Sequence, residues 1–262
     1  MNRINQLLEH KPNNILSIYF CAGHPHKDST MDVLRALQAN GIDMAEIGIP
    51  FSDPMADGPV IQQAATTALH NGMSLKVLFD QLNGMRQEIH MPLLLMGYLN
   101  VIIQFGFEHF CQECSHVGID GAIIPDLPFD VYMKDYKDTA DKYGIDIIML
   151  ITPHTSPERI HLIDNNTGGF IYQVSTDATT GAQNTFSDST VAYFERIKAM
   201  KLHNPTLVGF GISNKATLTA TQQHSNGSII GSKFVRLLEE RSTPDEAVKA
   251  LLDTLEKQPQ PQ

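Results

Sequence analysis

Tryptophan is absent from the 262 residues and cysteine nearly so, Cys21, Cys111 and Cys114 being the whole set. Three scattered thiols cannot build the disulfide framework of a small secreted domain, and they fit a reducing cytoplasm. Cys111 and Cys114 have C-x-x-C spacing, but no second pair completes a zinc site. That stretch reads as amphipathic helix, so a structural role is expected. Basic residues are scarce too: 19 Lys+Arg against 29 Asp+Glu leave a formal net charge of −10. Nucleic acid and anionic membrane both need a basic footprint, so both are disfavoured as partners. A small anionic substrate stays open, because backbone N–H groups can hold it whatever the global charge. No apolar run approaches the roughly 18 residues of a membrane span. The opening M-N-R-I-N-Q-L-L-E-H carries no continuous apolar segment, so no secretory signal and a cytoplasmic location are expected. The missing tryptophan excludes nothing by itself.

What is present is a 42% hydrophobic chain whose apolar residues come in short, strand-sized runs. These runs cover residues 15–22, 44–49, 93–98, 121–125, 146–151, 169–175, 206–212 and 228–231. Between them lie helical periodicities, among them residues 30–39, 130–143 and 190–200. Strands alternating with helices imply βαβ units and a parallel sheet. Eight such units in a chain of this length favour a closed (β/α)₈ TIM barrel over an open doubly wound sheet. No Pro/Ser-rich linker divides the interior, so one domain is expected over residues 1–262. Residues 3–9 form a short N-terminal helix placed to plug the barrel bottom, and residues 257–262 read as a frayed tail.

The second strand carries an anomaly. Met44, Glu46 and Gly48 share one face of it, while Ala45, Ile47 and Ile49 share the other. Three aliphatics suit the helix-facing side, which turns Glu46 inward with Gly48 leaving space above it. Barrel interiors are apolar, so an inward carboxylate needs either a function or a neutralising Lys or Arg. Burial would raise its pKa and suit it to proton transfer near neutrality. The following loop, residues 51–59, holds Asp53 and Asp57 between prolines, at the strand end where barrels carry active-site groups. Position alone leaves both aspartates open to catalysis, to an Asx-turn or to capping the helix that starts near Val60.

Three glycine-containing turns follow the last three strands: T-T-G-A at 179–182, G-F-G-I-S at 209–213, and Gly231-Ser232. Glycine lets backbone approach a ligand closely, and N–H groups at a helix start favour phosphate. At the ends of adjacent strands the three together point to a phosphate group.

With E-I-G-I-P-F-S-D-P-M-A-D-G-P at 46–59, Y-F-C-A-G-H-P at 19–25, L-M-G-Y-L-N at 95–100 and P-D-L-P at 125–128, the chain resembles the tryptophan synthase alpha chain family nearly from end to end. The resemblance implies a barrel lyase that cleaves indole-3-glycerol phosphate to indole and glyceraldehyde 3-phosphate in tryptophan biosynthesis. It implies Glu46 as the acid–base group and Asp57 as the acceptor of the indole N–H. Tyr19 would line the indole pocket, Tyr172 would be an active-site tyrosine on the sixth strand, and Gly181, Phe210, Gly211, Gly231 and Ser232 would form the phosphate site. Asp53 would communicate with a beta chain that carries pyridoxal phosphate in an α2β2 assembly, while the alpha chain itself would hold no cofactor and no metal.

The chain departs from the family pattern at Ala45, at His24 before Pro25, at Val101 after Asn100, and at Thr176 and Ala178 in the sixth loop. Two rivals are weaker. A sugar-phosphate isomerase or epimerase explains the glycine turns but not Glu46 with Asp57, and His24 with His26 is too small a set for its metal. A non-catalytic activating subunit would be expected to have lost one of these features.

Overall fold

The apolar runs are strands, and every strand pairs in parallel with its neighbours. In the computed structural model, which describes residues 2–175 and 185–256, they are Ile15–Cys21 (β1), Met44–Gly48 (β2), Leu93–Met96 (β3), Gly121–Ile123 (β4), Asp146–Ile148 (β5), Leu150–Ile151 (β6), Ile171–Val174 (β7), Thr206–Gly209 (β8) and Gly227–Ile230 (β9). The spatial order is β5-β4-β3-β2-β1-β9-β8-β7-β6. Its two ends, β5 and β6, are consecutive in the chain with only Met149 between them. The Met149 carbonyl accepts the Tyr172 N–H at 2.9 Å, so the ladder runs on and the sheet closes. Nine strands thus fill the eight positions of a TIM barrel.

Register decides which side chains enter the barrel. Tyr19 pairs with Glu46, Glu46 with Leu94, Leu94 with Gly121 and Gly121 with Asp146, a row that crosses the interior obliquely from the upper end of β1 to the lower end of β5. Ile18, Ala45 and Leu93 form the adjacent row and face the helices, all fully buried. Ala45 therefore sits harmlessly in the outer layer.

The N-terminal helix, Arg3–His10, closes the bottom. Asn2 caps it by accepting the Asn5 N–H at 3.2 Å, and its own amide reaches Asp146 Oδ2 at 2.6 Å. Ile4 is fully buried. It enters over Gly121, where an added Cβ would lie 3.1 Å from Ile4 Cδ1 and 2.7 Å from the Asp146 carbonyl. Asp120 ties this floor together: it accepts from Arg3 (3.0 Å), Arg86 (2.7 Å) and the Leu93 N–H (2.9 Å).

One local outcome differs from sequence periodicity. The helix expected over 130–143 is interrupted, running as Phe129–Val131, a π turn over Tyr132–Tyr136, and Lys137–Tyr143. Cys111 and Cys114 are buried on the helix Phe107–Val117, as a structural role requires, and burial pushes both thiols up, Cys111 to about 12. The tail from residue 257 lies outside the described residues.

Replacing Asp120 with Ala strands a buried Leu93 N–H and leaves Arg86 without its carboxylate. About 3 kcal/mol of stability should be lost. Urea unfolding at neutral pH measures it, and a loss below about 1 kcal/mol would mean the floor does not depend on this residue.

Candidate active site

A cavity of about 510 Å³ opens at the C-terminal ends of the strands. Tyr19, Glu46, Met96, Tyr172 and Ile229 reach it from five strands, and Asp57, Phe210, Gly211, Gly231 and Ser232 reach it from the loops above. The structure thus brings together every sequence-predicted catalytic and substrate-binding residue except Gly181, which lies outside the described residues.

Glu46 is fully buried. Ser17, one strand away on the inward face of β1, donates to Oε1 at 2.9 Å, and Oε2 has no partner among the described residues. Among the described residues no Lys or Arg pairs with Glu46. Desolvation pushes its pKa up to about 8, only partly opposed by the Ser17 hydrogen bond.

Asp57 follows in the loop after β2 and is 6% exposed. Neither aspartate caps the next helix: Pro59–His70 starts at Gly58 with no side-chain cap. Asp57 Oδ2 instead accepts the Tyr98 hydroxyl at 2.9 Å, and that same hydroxyl accepts the Ala56 N–H at 2.9 Å. Burial raises the Asp57 pKa to about 6, against the lowering effect of Tyr98. Asp53 does not reach the cavity. It is exposed on the rim, two residues from Met55, which is 87% exposed.

Two tyrosines bound the cavity, each standing over a glycine. A Cβ on Gly48 would overlap the Tyr19 hydroxyl, and a Cβ on Gly209 would overlap that of Tyr172. Gly48 thus makes room for a neighbouring ring as well as for the carboxylate below it.

The far end is a backbone cradle. Phe210 (φ 71°) and Gly211 (φ 74°) are successive left-handed residues, a conformation that Phe adopts only under strain. Ser175 holds the turn by donating to the Phe210 carbonyl at 2.7 Å. The helix Ser232–Glu240 then begins at Gly231 with no side-chain cap, so its first N–H groups are available to an anion. Lys233 and Arg236, three residues apart on this helix, also line the cavity. Sequence reasoning missed them, although a helix starting at Ser232 puts both on one face. It missed Ser17 and Tyr98 as well. His24 is accounted for elsewhere: buried, and joined to Pro25 by a cis peptide, it bonds Glu239 at 2.8 Å. Among the described residues no three His, Cys, Asp or Glu side chains gather to hold a metal.

The cavity therefore has an apolar, tyrosine-bounded side with two carboxylates and a side built for an anion. The family model for "Tryptophan synthase alpha chain" matches residues 5–260. Tryptophan synthase alpha chains of Parabacteroides distasonis and Bacteroides thetaiotaomicron are each 60% identical over 255 residues, covering 97% of this chain and 99% and 100% of theirs. The crystal structure of tryptophan synthase subunit alpha from Legionella pneumophila superposes with a TM-score of 0.85 at 32% identity, over 97% of both chains.

A buried acid with a raised pKa binds its proton more tightly folded than unfolded. Glu46 therefore costs no stability below its unfolded value of 4.5, and stability falls as pH rises from there towards about 8. Glu46→Gln should stabilise the protein by about 2–4 kcal/mol at pH 9 and by little at pH 5. Denaturant melts at the two pH values test this, and an equal effect at both would rule out a desolvated carboxylate.

Proposed function

The chain belongs to the tryptophan synthase alpha chain family, lyases of tryptophan biosynthesis that cleave indole-3-glycerol phosphate, and on that premise we propose how its barrel mouth performs the reaction. The observation that carries the reading is a pair of cavity carboxylates whose surroundings push one to about 8 and the other to about 6. At neutral pH Glu46 then holds a proton and Asp57 does not, which separates acid from anion without a cofactor in this chain.

The indole ring lies between Tyr19 and Tyr172. The phosphate takes the Gly211 turn and the start of the Ser232–Glu240 helix, with Lys233 and Arg236 adding positive charge. Glu46 delivers its proton to ring carbon C3. The C2=C3 pair forms the new C–H bond and nitrogen becomes positive, while the Asp57 carboxylate accepts the ring N–H and stabilises that charge. The Glu46 carboxylate then removes the C3′ hydroxyl proton. The C3–C3′ bond breaks, its electron pair restores the ring, and indole and glyceraldehyde 3-phosphate separate.

An alpha chain implies a beta chain. We take the assembly to be α2β2, with pyridoxal phosphate on the beta chain and the Asp53–Met55 rim facing it. An exposed Met close to an exposed charge, in the same loop as Asp57, supports that placement. No described helix is long and apolar enough to cross a membrane, which accords with a cytoplasmic enzyme.

Indole release by the purified chain should follow a bell-shaped pH profile, with limbs near 6 and 8. Below the first Asp57 gains a proton, and above the second Glu46 loses one. Glu46→Gln and Asp57→Asn should each cost about a hundredfold or more in kcat, and an added beta chain should raise the wild-type rate. No indole with or without the beta chain would sink the assignment of these roles.

A further inference from the structure

Each cavity carboxylate is tied by one hydroxyl, and each tie reaches only one of its two oxygens. Ser17 donates to Glu46 Oε1 and Tyr98 to Asp57 Oδ2, both at 2.9 Å. Among the described residues, Glu46 Oε2 and Asp57 Oδ1 are buried without a hydrogen-bond partner. We propose that Ser17 and Tyr98 are positioning residues whose hydroxyls assign Glu46 Oε2 and Asp57 Oδ1 as the oxygens that meet substrate.

The argument for Ser17 is one of proton inventory. Its side chain is fully buried, and its one side-chain hydrogen bond among the described residues goes to Glu46. A proton on Oε1 would force Ser17 to accept and leave its own O–H without an acceptor, a cost that buried hydroxyls avoid. With Ser17 donating, the acidic proton sits on Oε2. Tyr98 is constrained from the other side. Its oxygen accepts the Ala56 N–H at 2.9 Å, which turns its single hydrogen to Asp57 Oδ2. Its ring, 5.4 Å from that of Phe51 and largely buried, cannot easily swing away.

This inference rests on the lyase reading for the identity of the substrate atoms. In that reaction the Oε2–H bond breaks as C3–H forms, and Asp57 Oδ1 receives the ring N–H. The titratable groups that face the two carboxylates are Tyr19 and Cys21 on β1, Tyr98 after β3 and Tyr172 on β7, all pushed upward chiefly by burial and neutral near pH 7. Lys233 and Arg236 line the same cavity. Both hydroxyls lower the pKa of the acid they touch, so loss of either moves one carboxylate upward.

The test pairs two readouts on wild type, Ser17→Ala, Ser17→Thr and Tyr98→Phe. Carboxyl ¹³C shifts of the free protein are followed against pH, with Glu46→Gln and Asp57→Asn assigning the resonances, and indole release is profiled over the same range. Ser17→Ala should raise the Glu46 titration and the alkaline limb by about one pH unit, leaving the acid limb in place. Tyr98→Phe should raise the Asp57 titration and the acid limb by about as much, leaving the alkaline limb in place. Each should lower kcat about three- to tenfold, and Ser17→Thr should restore the alkaline limb. Slower variants with unmoved limbs and unmoved resonances would overturn the proposal and leave a packing role. Resonances that shift as expected in a protein that releases no indole would overturn the lyase reading and leave the hydroxyl assignment standing.

Discussion

Glu46 sits on a strand hydrogen-bonded along both edges, to β1 on one side and β3 on the other. Its Cα cannot retreat when its carboxylate is stripped of water, nor can the chain relax to bring a cation to it. That fixed desolvation underlies the chemistry at the mouth. It makes a glutamic acid persist at neutral pH, it makes the single hydroxyl of Ser17 matter, and it sets Glu46 apart from Asp57. The loop residue has the milder burial and a partner that reinforces ionisation, so two residues of one chemical type take opposite protonation states a short distance apart.

The walls of the cavity repeat one device on opposite halves of the barrel. Tyr19 leans from β1 over Gly48, which pairs with Cys21; Tyr172 leans from β7 over Gly209, which pairs with Val174. In both cases the glycine lies on the next strand, opposite the residue two places beyond the tyrosine. The missing Cβ lets a large ring lie across the neighbouring strand and bound the cavity without filling it. The glycine-rich look of these strand ends therefore has two separate causes. Gly48 and Gly209 make room for rings, whereas Gly211 takes up the left-handed turn of the anion cradle.

Much of this was legible in the sequence because it depends on period and order. Alternation along β2 turned Glu46 inward, and apolar runs spaced by helices specified the barrel. What lay hidden depends on contacts between distant residues. Periodicity can say that Ser17 and Glu46 both point inward, but not that 29 residues of separation close to 2.9 Å. The choice between Asp53 and Asp57 was likewise undecidable from the loop, since it turns on Tyr98, 41 residues further on. The break at Met149 left no trace, because an apolar residue suits a strand whether or not the ladder is regular there.

The floor of the barrel has a bearing on synthesis. Asn2 and Arg3 bond partners 117 to 144 residues downstream, on the segments that carry Asp120 and Asp146. During synthesis Asn2 and Arg3 must therefore wait, undocked, until the segments carrying Asp120 and Asp146 have followed them. β1 waits longer still, since its second neighbour is β9. A polar, amphipathic segment such as Arg3–His10 suits that interval: it can stay in water without seeking a wrong partner, and settles only when the strands it seals have formed.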